Sequence, residues 1–430
     1  MLCSANLSVS PQNHLMIGRH DAVDLAREFG TPLYVLDEDL MRANCRAYRE
    51  LAQKAGGHAL FASKALCTLH TARVAAEEGL GADVVSGGEI YTLVQAGFPM
   101  EKVFFHGNNK SPAEIALAID SGVGYFVVDN ADELTRVNAI AGEKGVTQKI
   151  LFRVKPGIDC HTHDYIKTGQ IDCKFGVALE TGEAYEIHRR AAALPHVQVE
   201  GVHCHIGSQI FEIEPFLEAV RRMMALIARL RGELGLPVRL LNLGGGFGIP
   251  YAPEDDPPAL AAYMDAIHDT LLSESARLGL TPPTLLFEPG RAIVGAAGVT
   301  LYTVGSVKKI PGARTYVAVD GGMSDNPRFA LYQARHPAMV ANRAGDAPAG
   351  LYTIAGKCCE SGDLIADGVP LPAVQAGDIL AVLVTGAYNY SMASNYNRLP
   401  RPAMVALRGD EKRLVVRRES YEDLIRNEVL

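Results

Sequence analysis

Between residues 59 and 288 the chain alternates two patterns. Short apolar, β-rich runs occupy 59–64, 82–86, 103–107, 125–129, 150–154, 199–206, 240–244 and 284–288. Longer stretches with helical spacing separate them, among them 89–96, 112–121, 131–143 and 215–234. In the last, Phe216, Val220, Met223, Met224, Ile227 and Leu230 recur on one face, and Glu and Arg hold much of the other. That is a core-facing helix, and its methionines are packing residues. Strands that are apolar throughout are buried on both faces, which requires a parallel sheet covered by helices. Eight such units over about 230 residues favour a (β/α)8 barrel over an open doubly wound sheet.

After about residue 290 the rhythm changes. Apolar runs at 299–304, 315–319, 351–355, 379–384 and 413–416 follow one another with few long helical patterns, and Gly-rich turns such as Asp320-Gly321-Gly322 punctuate them. This predicts a second, mostly β domain. The expected division is a barrel over 34–289 and a β domain over 1–33 and 290–430, with the polar stretch 341–350 as a mobile connector. A length of 430 residues, too great for one ordinary core, agrees with two domains.

Composition narrows the function classes. A net charge of -8 argues against a general nucleic-acid binder. No apolar run reaches the roughly 18 residues that span a membrane, and residues 1–18 lack a basic start followed by an apolar stretch. The eight cysteines include no CxxC pair, so buried or free thiols in a reducing cytosol are expected. A cytoplasmic protein without membrane or nucleic-acid partners is the expectation.

In such a barrel the chemistry sits at the C-terminal ends of the strands. The first run ends in Lys64, which at the mouth of an apolar strand can form a Schiff base with a carbonyl. The seventh ends in Gly244-Gly245-Gly246-Phe247-Gly248, where bare backbone N–H groups can close around an anion. The eighth ends in Glu288-Pro289-Gly290-Arg291. Loops after strands seven and eight commonly bind phosphate in these barrels. His203 and His205 share a face of the sixth run, but no carboxylate lies near them in sequence, so no metal is expected. A lysine, a phosphate cradle, a carboxylate and a flat imidazole together suit pyridoxal phosphate, which needs a Schiff-base lysine, a phosphate site and a partner for its ring nitrogen.

Those residues also carry a resemblance. The motifs are Phe61-Ala62-Ser63-Lys64-Ala65, Asp83-Val84-Val85-Ser86-Gly87-Gly88-Glu89, His106-Gly107-Asn108-Asn109-Lys110 and His203-Cys204-His205-Ile206-Gly207-Ser208-Gln209. The glycine run, Glu288-Pro289-Gly290-Arg291, Gly356-Lys357-Cys358-Cys359-Glu360-Ser361-Gly362-Asp363 and Tyr388-Asn389-Tyr390-Ser391-Met392 continue the series. The chain resembles the fold-type III pyridoxal-phosphate-dependent decarboxylases over nearly its whole length, and among them the diaminopimelate decarboxylases. The resemblance implies an alanine-racemase-like barrel with a β domain. It also implies a homodimer whose active site is shared between subunits, and lysine as product.

It further implies roles for single residues. Lys64 holds the cofactor and His205 stacks on its ring. Ser208, Gly244, Gly245, Gly246, Gly290, Arg291 and Tyr388 surround the phosphate, and Glu288 pairs with the ring nitrogen. Asp83, Glu89 and Arg153 orient these groups. Cys359 returns a proton to the α-carbon, and it comes with Glu360 from the second subunit. Arg291, Arg328 and Tyr332 meet the substrate's distal carboxylate, and Glu360 meets its distal ammonium. Phe329 and Asn389 depart from the pattern, where proline and glycine are common. The alternatives are decarboxylation of another amino acid, a racemase and a non-catalytic cofactor carrier. Glu288 stands where a racemase would have arginine, and a carrier would have no use for Cys359 or the β domain.

Overall fold

The structure, a computed structural model, describes residues 4–158, 173–252 and 254–430. The chain divides into two units: Cys45–Gly248 with Pro257–Gly290, and Met1–Asn44 with Ile249–Asp256 and Arg291–Leu430.

The first unit is the barrel. Its strands are β1 (Gly57–Ala62), β2 (Gly81–Val84), β3 (Val103–Phe105), β4 (Tyr125–Val128), β5 (Gln148–Lys155), β6 (Val197–His203), β7 (Leu240–Asn242) and β8 (Thr284–Phe287). All neighbours pair in parallel, and β8 pairs back to β1, which closes the ring. Each strand matches a run expected from the sequence, with ends shifted by a few residues. Alternate side chains point inward, so Leu60, Phe104, Val127, Leu151 and Leu286 meet from five strands as one buried cluster. The covering helices start where their side chains can satisfy the free N–H groups. Ser111 and Glu114 form a reciprocal cap with Pro112 in the first turn, and Asn130 caps Ala131–Glu143. Helix Glu214–Leu234 buries all six residues of the periodic face, each contributing about 1.5–3 kcal/mol.

The second unit is mostly β. Its main sheet has nine strands, and a small sheet of Leu7–Val9, Leu15–Ile17 and His20–Asp21 lies near the N-terminus. Leu33–Asp37 runs antiparallel to Gly298–Ile310 on one side and parallel to Ala403–Arg408 on the other. The expected boundary at residue 34 therefore moves: this fully buried strand belongs to the β unit, as does Ile249–Asp256. The connector expected to be mobile is also corrected at its start. Ala341–Arg343 forms a tight turn with Ala341 buried, Asn342 donates to Asp378 at 3.0 Å, and Arg343 pairs with the same carboxylate. Among the described residues no helix is long and apolar enough to cross a membrane.

Candidate functional site

The C-terminal ends of the barrel strands gather most of the expected groups. Lys64 follows β1 in a tight turn, Ser63–Ala65, with its ammonium 3.6 Å from Asp83 Oδ2 at the end of β2. The Asp83 carboxylate is fully buried and accepts no hydrogen bond among the described residues, and that ammonium is its counter-charge. Glu89 accepts from Ser63 Oγ at 3.0 Å and from the Val85 N–H at 2.7 Å, which anchors the turn that carries Lys64. Burial pushes the Glu89 carboxyl up, and the charge of Asp83 adds to it.

The loops after β6 and β7 run against each other. The Ile210 N–H donates to Gly246 O at 2.9 Å, and the Gly248 N–H to Ile210 O at 3.1 Å. Gly244 and Gly246 have φ of +70° and +104°, and a Cβ on them would come within 2.7 Å of His205 Nδ1 and 2.5 Å of Gly207 O. Only glycine fits, and the backbone lies bare. The Gly245 N–H donates to His205 Nδ1 at 3.3 Å, so the ring proton of that imidazole sits on Nε2. Burial, then the charge of Lys64, holds His205 well below the ordinary histidine pKa. Ser208 lies partly buried in the same loop. Gly290 is packed so closely that a Cβ would meet Ala62 Cβ at 2.9 Å, just before Lys64.

Glu288, directly after β8, is a buried carboxylate met by three side chains. Asn242 Nδ2 donates to its Oε1 at 2.7 Å, and His203 Nε2 lies 3.2 Å from its Oε2. His106 Nε2 is 2.8 Å from Oε1. The strand registers explain the convergence: Arg153, His203 and Asn242 are neighbours across β5, β6 and β7. Burial alone would raise the Glu288 carboxyl, but the two imidazoles outweigh it and hold it well below the usual range. Burial pushes His203 down to about 4 and the Cys204 thiol up to about 12. His203 thus meets a carboxylate that its sequence neighbourhood lacks, while His205 faces the glycine loop.

The β unit assembles a different set. Arg291 Nη1 donates to Tyr251 OH at 2.7 Å, and its guanidinium lies 4.9 Å from the Tyr388 ring centre. Arg328 stacks 4.3 Å from Tyr332 and 5.4 Å from Tyr388. Tyr388 has φ of +64°, unusual for a residue with a Cβ. Arg328 is buried, makes no ion pair among the described residues, and its Nε has no hydrogen-bond partner. Burial and then the neighbouring charge of Arg291 push its pKa down. Asn389 keeps φ at -88° and donates to Thr385 O at 3.0 Å, so this position has no need of glycine here. Phe329 sits partly buried in the first turn of the short helix Arg328–Tyr332.

Cys359 and Glu360 are exposed. Their turn is pinned by Asp363, which accepts from the N–H groups of Cys358 at 2.7 Å and Met323 at 2.6 Å. The Cys359 N–H donates to Asn397 Oδ1 at 2.5 Å. Sequence reasoning gave no role to His106, Asn242 or Tyr251. Asn242, a buried polar residue closing an apolar strand, carried the one visible signal.

The family described as "Pyridoxal-dependent decarboxylase, pyridoxal binding domain" matches residues 38–295. The chain is 48% identical to the diaminopimelate decarboxylase of Bacillus subtilis, over 96% of this chain and 94% of that protein. It is 44% identical to that of Mycobacterium bovis, over 94% and 92%. Among solved structures, diaminopimelate decarboxylase of M. jannaschii in complex with L-lysine matches with a TM-score of 0.93 and 36% identity, covering 100% of this chain and 99% of that one. The lysine/ornithine decarboxylase of Vibrio vulnificus complexed with cadaverine matches at 0.75 and 25% identity, over 90% and 95%.

Proposed function

The chain belongs to the pyridoxal-dependent decarboxylases, and on that premise we propose that it converts meso-2,6-diaminopimelate to L-lysine and CO2, the last step of lysine biosynthesis. The observation that carries the substrate is Arg328, a buried guanidinium stacked on tyrosines with no carboxylate among the described residues to pair with. A buried cation of this kind needs an anion. Diaminopimelate brings a distal carboxylate, which Arg328 can grip in bidentate fashion, with Arg291 and Tyr332 completing the grip. Lysine and ornithine bring none and would leave the guanidinium unpaired.

The residues present fit pyridoxal phosphate. The fit rests on the glycine loop that a Cβ would fill, the buried carboxylate of Glu288 and a lysine 3.6 Å from the buried Asp83 carboxylate. Lys64 would hold its carbonyl carbon and His205 would lie on the ring. Glu288 would meet the ring nitrogen, and Ser208, Gly244–Gly246, Gly290, Arg291 and Tyr388 would surround the phosphate. When bound, the cofactor supplies a protonated ring that takes up the electron pair left as CO2 departs.

The chain's own groups do the remaining work. Asp83 keeps Lys64 in place and balances its charge. Arg291 and Arg328 fix the far end of the substrate, which fixes the carbon that loses its carboxylate. Cys359 gives its thiol proton to the α-carbon, and Glu360 meets the distal ammonium. Both act from the second subunit of a homodimer, which suits their place on an exposed, braced turn. The reaction runs in the cytoplasm, where buried thiols such as Cys204 and Cys358 stay reduced.

The test is CO2 release by purified protein with added pyridoxal phosphate, comparing meso-diaminopimelate with L-lysine, L-ornithine and L-arginine. Release from diaminopimelate with lysine as product is expected. Release only from another amino acid would overturn the role of Arg328.

A further inference from the structure

Glu288 offers two carboxylate oxygens, and both are already met from inside the barrel. Asn242 and His106 approach Oε1, and His203 approaches Oε2. The two imidazoles come from opposite parts of the ring: His106 follows β3, and His203 ends β6. They touch edge to face, 4.8 Å between ring centres. His203 Nε2 meets Oε2 in hydrogen-bond geometry and so carries its proton there; His106 Nε2 lies 2.8 Å from Oε1 off the hydrogen-bond line, where a proton is still favoured because two lone pairs would repel. For His203 the other nitrogen, Nδ1, is buried and has no hydrogen-bond partner among the described residues, which also leaves the proton on Nε2. All four side chains are buried. The proposed reaction uses neither His106 nor His203 directly.

We propose that His106 and His203 are positioning residues whose Nε2–H groups keep Glu288 a carboxylate, so that a shared proton rests on the cofactor's ring nitrogen and not on Glu288. The inference deepens the functional reading and rests on it. Its sign is fixed by the geometry. Donors aimed at a carboxylate stabilise its charged form and weaken it as a base. With them in place Glu288 accepts a hydrogen bond from the ring without taking the proton. Without them Glu288 becomes the stronger base and the proton moves to it. Burial, which otherwise raises a carboxyl, is outweighed here by the two imidazoles. The other titratable and charged groups facing Glu288 are Arg153 from β5, and Cys204 and His205 after β6. Asp83 and Lys64 act on these in turn. Asn242 ties the same carboxylate to the phosphate loop, because its Oδ1 accepts from the Gly244 N–H at 2.9 Å.

The experiment is nitrogen NMR of the holoenzyme carrying pyridoxal phosphate labelled with 15N in the ring, which reads ring protonation without turnover. The wild-type resonance should stay at the protonated position from pH 6 to 9, and a titration inside that range overturns the proposal without any variant. In His203→Leu and in His106→Leu the resonance should move toward the unprotonated position. The proton's distribution should shift about 10- to 100-fold toward Glu288, the effect of losing one hydrogen bond to a charged group. His203→Gln, which keeps an N–H donor, should stay near wild type. Thermal unfolding checks each variant, and the two leucine changes lie on different strands, so either one carries the test. An unmoved resonance in a folded, loaded leucine variant overturns the proposal and leaves the decarboxylase reading standing. Failure of the wild-type protein to take up the cofactor overturns both.

Discussion

Arg328→Met should separate what this residue does for the substrate from what it costs the fold. Arg328 is 8% exposed, and its guanidinium is stacked on Tyr332 and Tyr388 and repelled by Arg291. Its pKa is pushed down by burial and by that neighbouring charge, so the folded chain without an anion disfavours the charged form. Methionine keeps most of the aliphatic stem and drops the charge. Replacing a buried, uncompensated ion by an apolar group of similar size is commonly neutral or stabilising, by about 1–4 kcal/mol. The melting temperature of the substrate-free protein should therefore hold or rise by a few degrees. With substrate the balance reverses. A charge-assisted bond to the distal carboxylate is worth about 2–3 kcal/mol, so kcat/KM for meso-diaminopimelate should fall roughly 30- to 150-fold. Cofactor affinity should change little. CO2 release against substrate concentration, cofactor titration and thermal unfolding read the three quantities on one preparation. A melting temperature that falls together with cofactor affinity, or a kcat/KM that does not move, would refute the reasoning.

Further outcomes are expected. Lys64→Ala should abolish the near-visible absorbance of the bound cofactor, and an unchanged spectrum would sink the assignment of that lysine. Cys359→Ala should take up cofactor normally and turn over slowly, whereas full rate would hand the proton to another acid. Gly244→Ala sets a Cβ 2.7 Å from His205 Nδ1 at φ +70°; it should cost about 1–3 kcal/mol of stability and weaken cofactor binding at least tenfold. His188, buried, bonded to Ala184 O and packed on Phe152, is held down to about 4 from 6.5. A base with a lowered folded pKa is neutral in the fold and takes a proton only on unfolding. Its stability is whole above about pH 6.5 and is lost as pH falls toward 4, up to about 3 kcal/mol. His188→Phe should flatten the melting temperature across that window, and an unchanged slope would place the acid sensitivity elsewhere.

The barrel was legible because its strands are apolar on both faces and its helices amphipathic, two periods that cannot be confused over segments this long. The glycine run and Lys64 stood out for a related reason, since each interrupts an apolar pattern at a strand end. The start of the barrel was misplaced because Leu33–Asp37 reads like any buried strand. Only its pairing with residues more than 260 positions later assigns it to the β unit. The tightness of Ala341–Arg343 was hidden in the same way, being fixed by Asp378, with Asn13 bonding Ala344 directly after it. His106 and Asn242 escaped notice as site residues because their significance comes from strand register, which brings together groups from β3, β6, β7 and β8.

The pairing of Leu33–Asp37 also sets a timetable. The strand is made early, yet its parallel neighbour begins at Ala403. At about 5–20 residues per second, a ribosome needs on the order of 20–70 s to cover that distance. Meanwhile nearly the whole barrel, from Cys45 to Gly290, has emerged. The N-terminal apolar strand must wait with both edges unpaired while a complete barrel forms behind it, so nascent chains released before Ala403 carry a sticky leading segment that quality-control machinery would recognise.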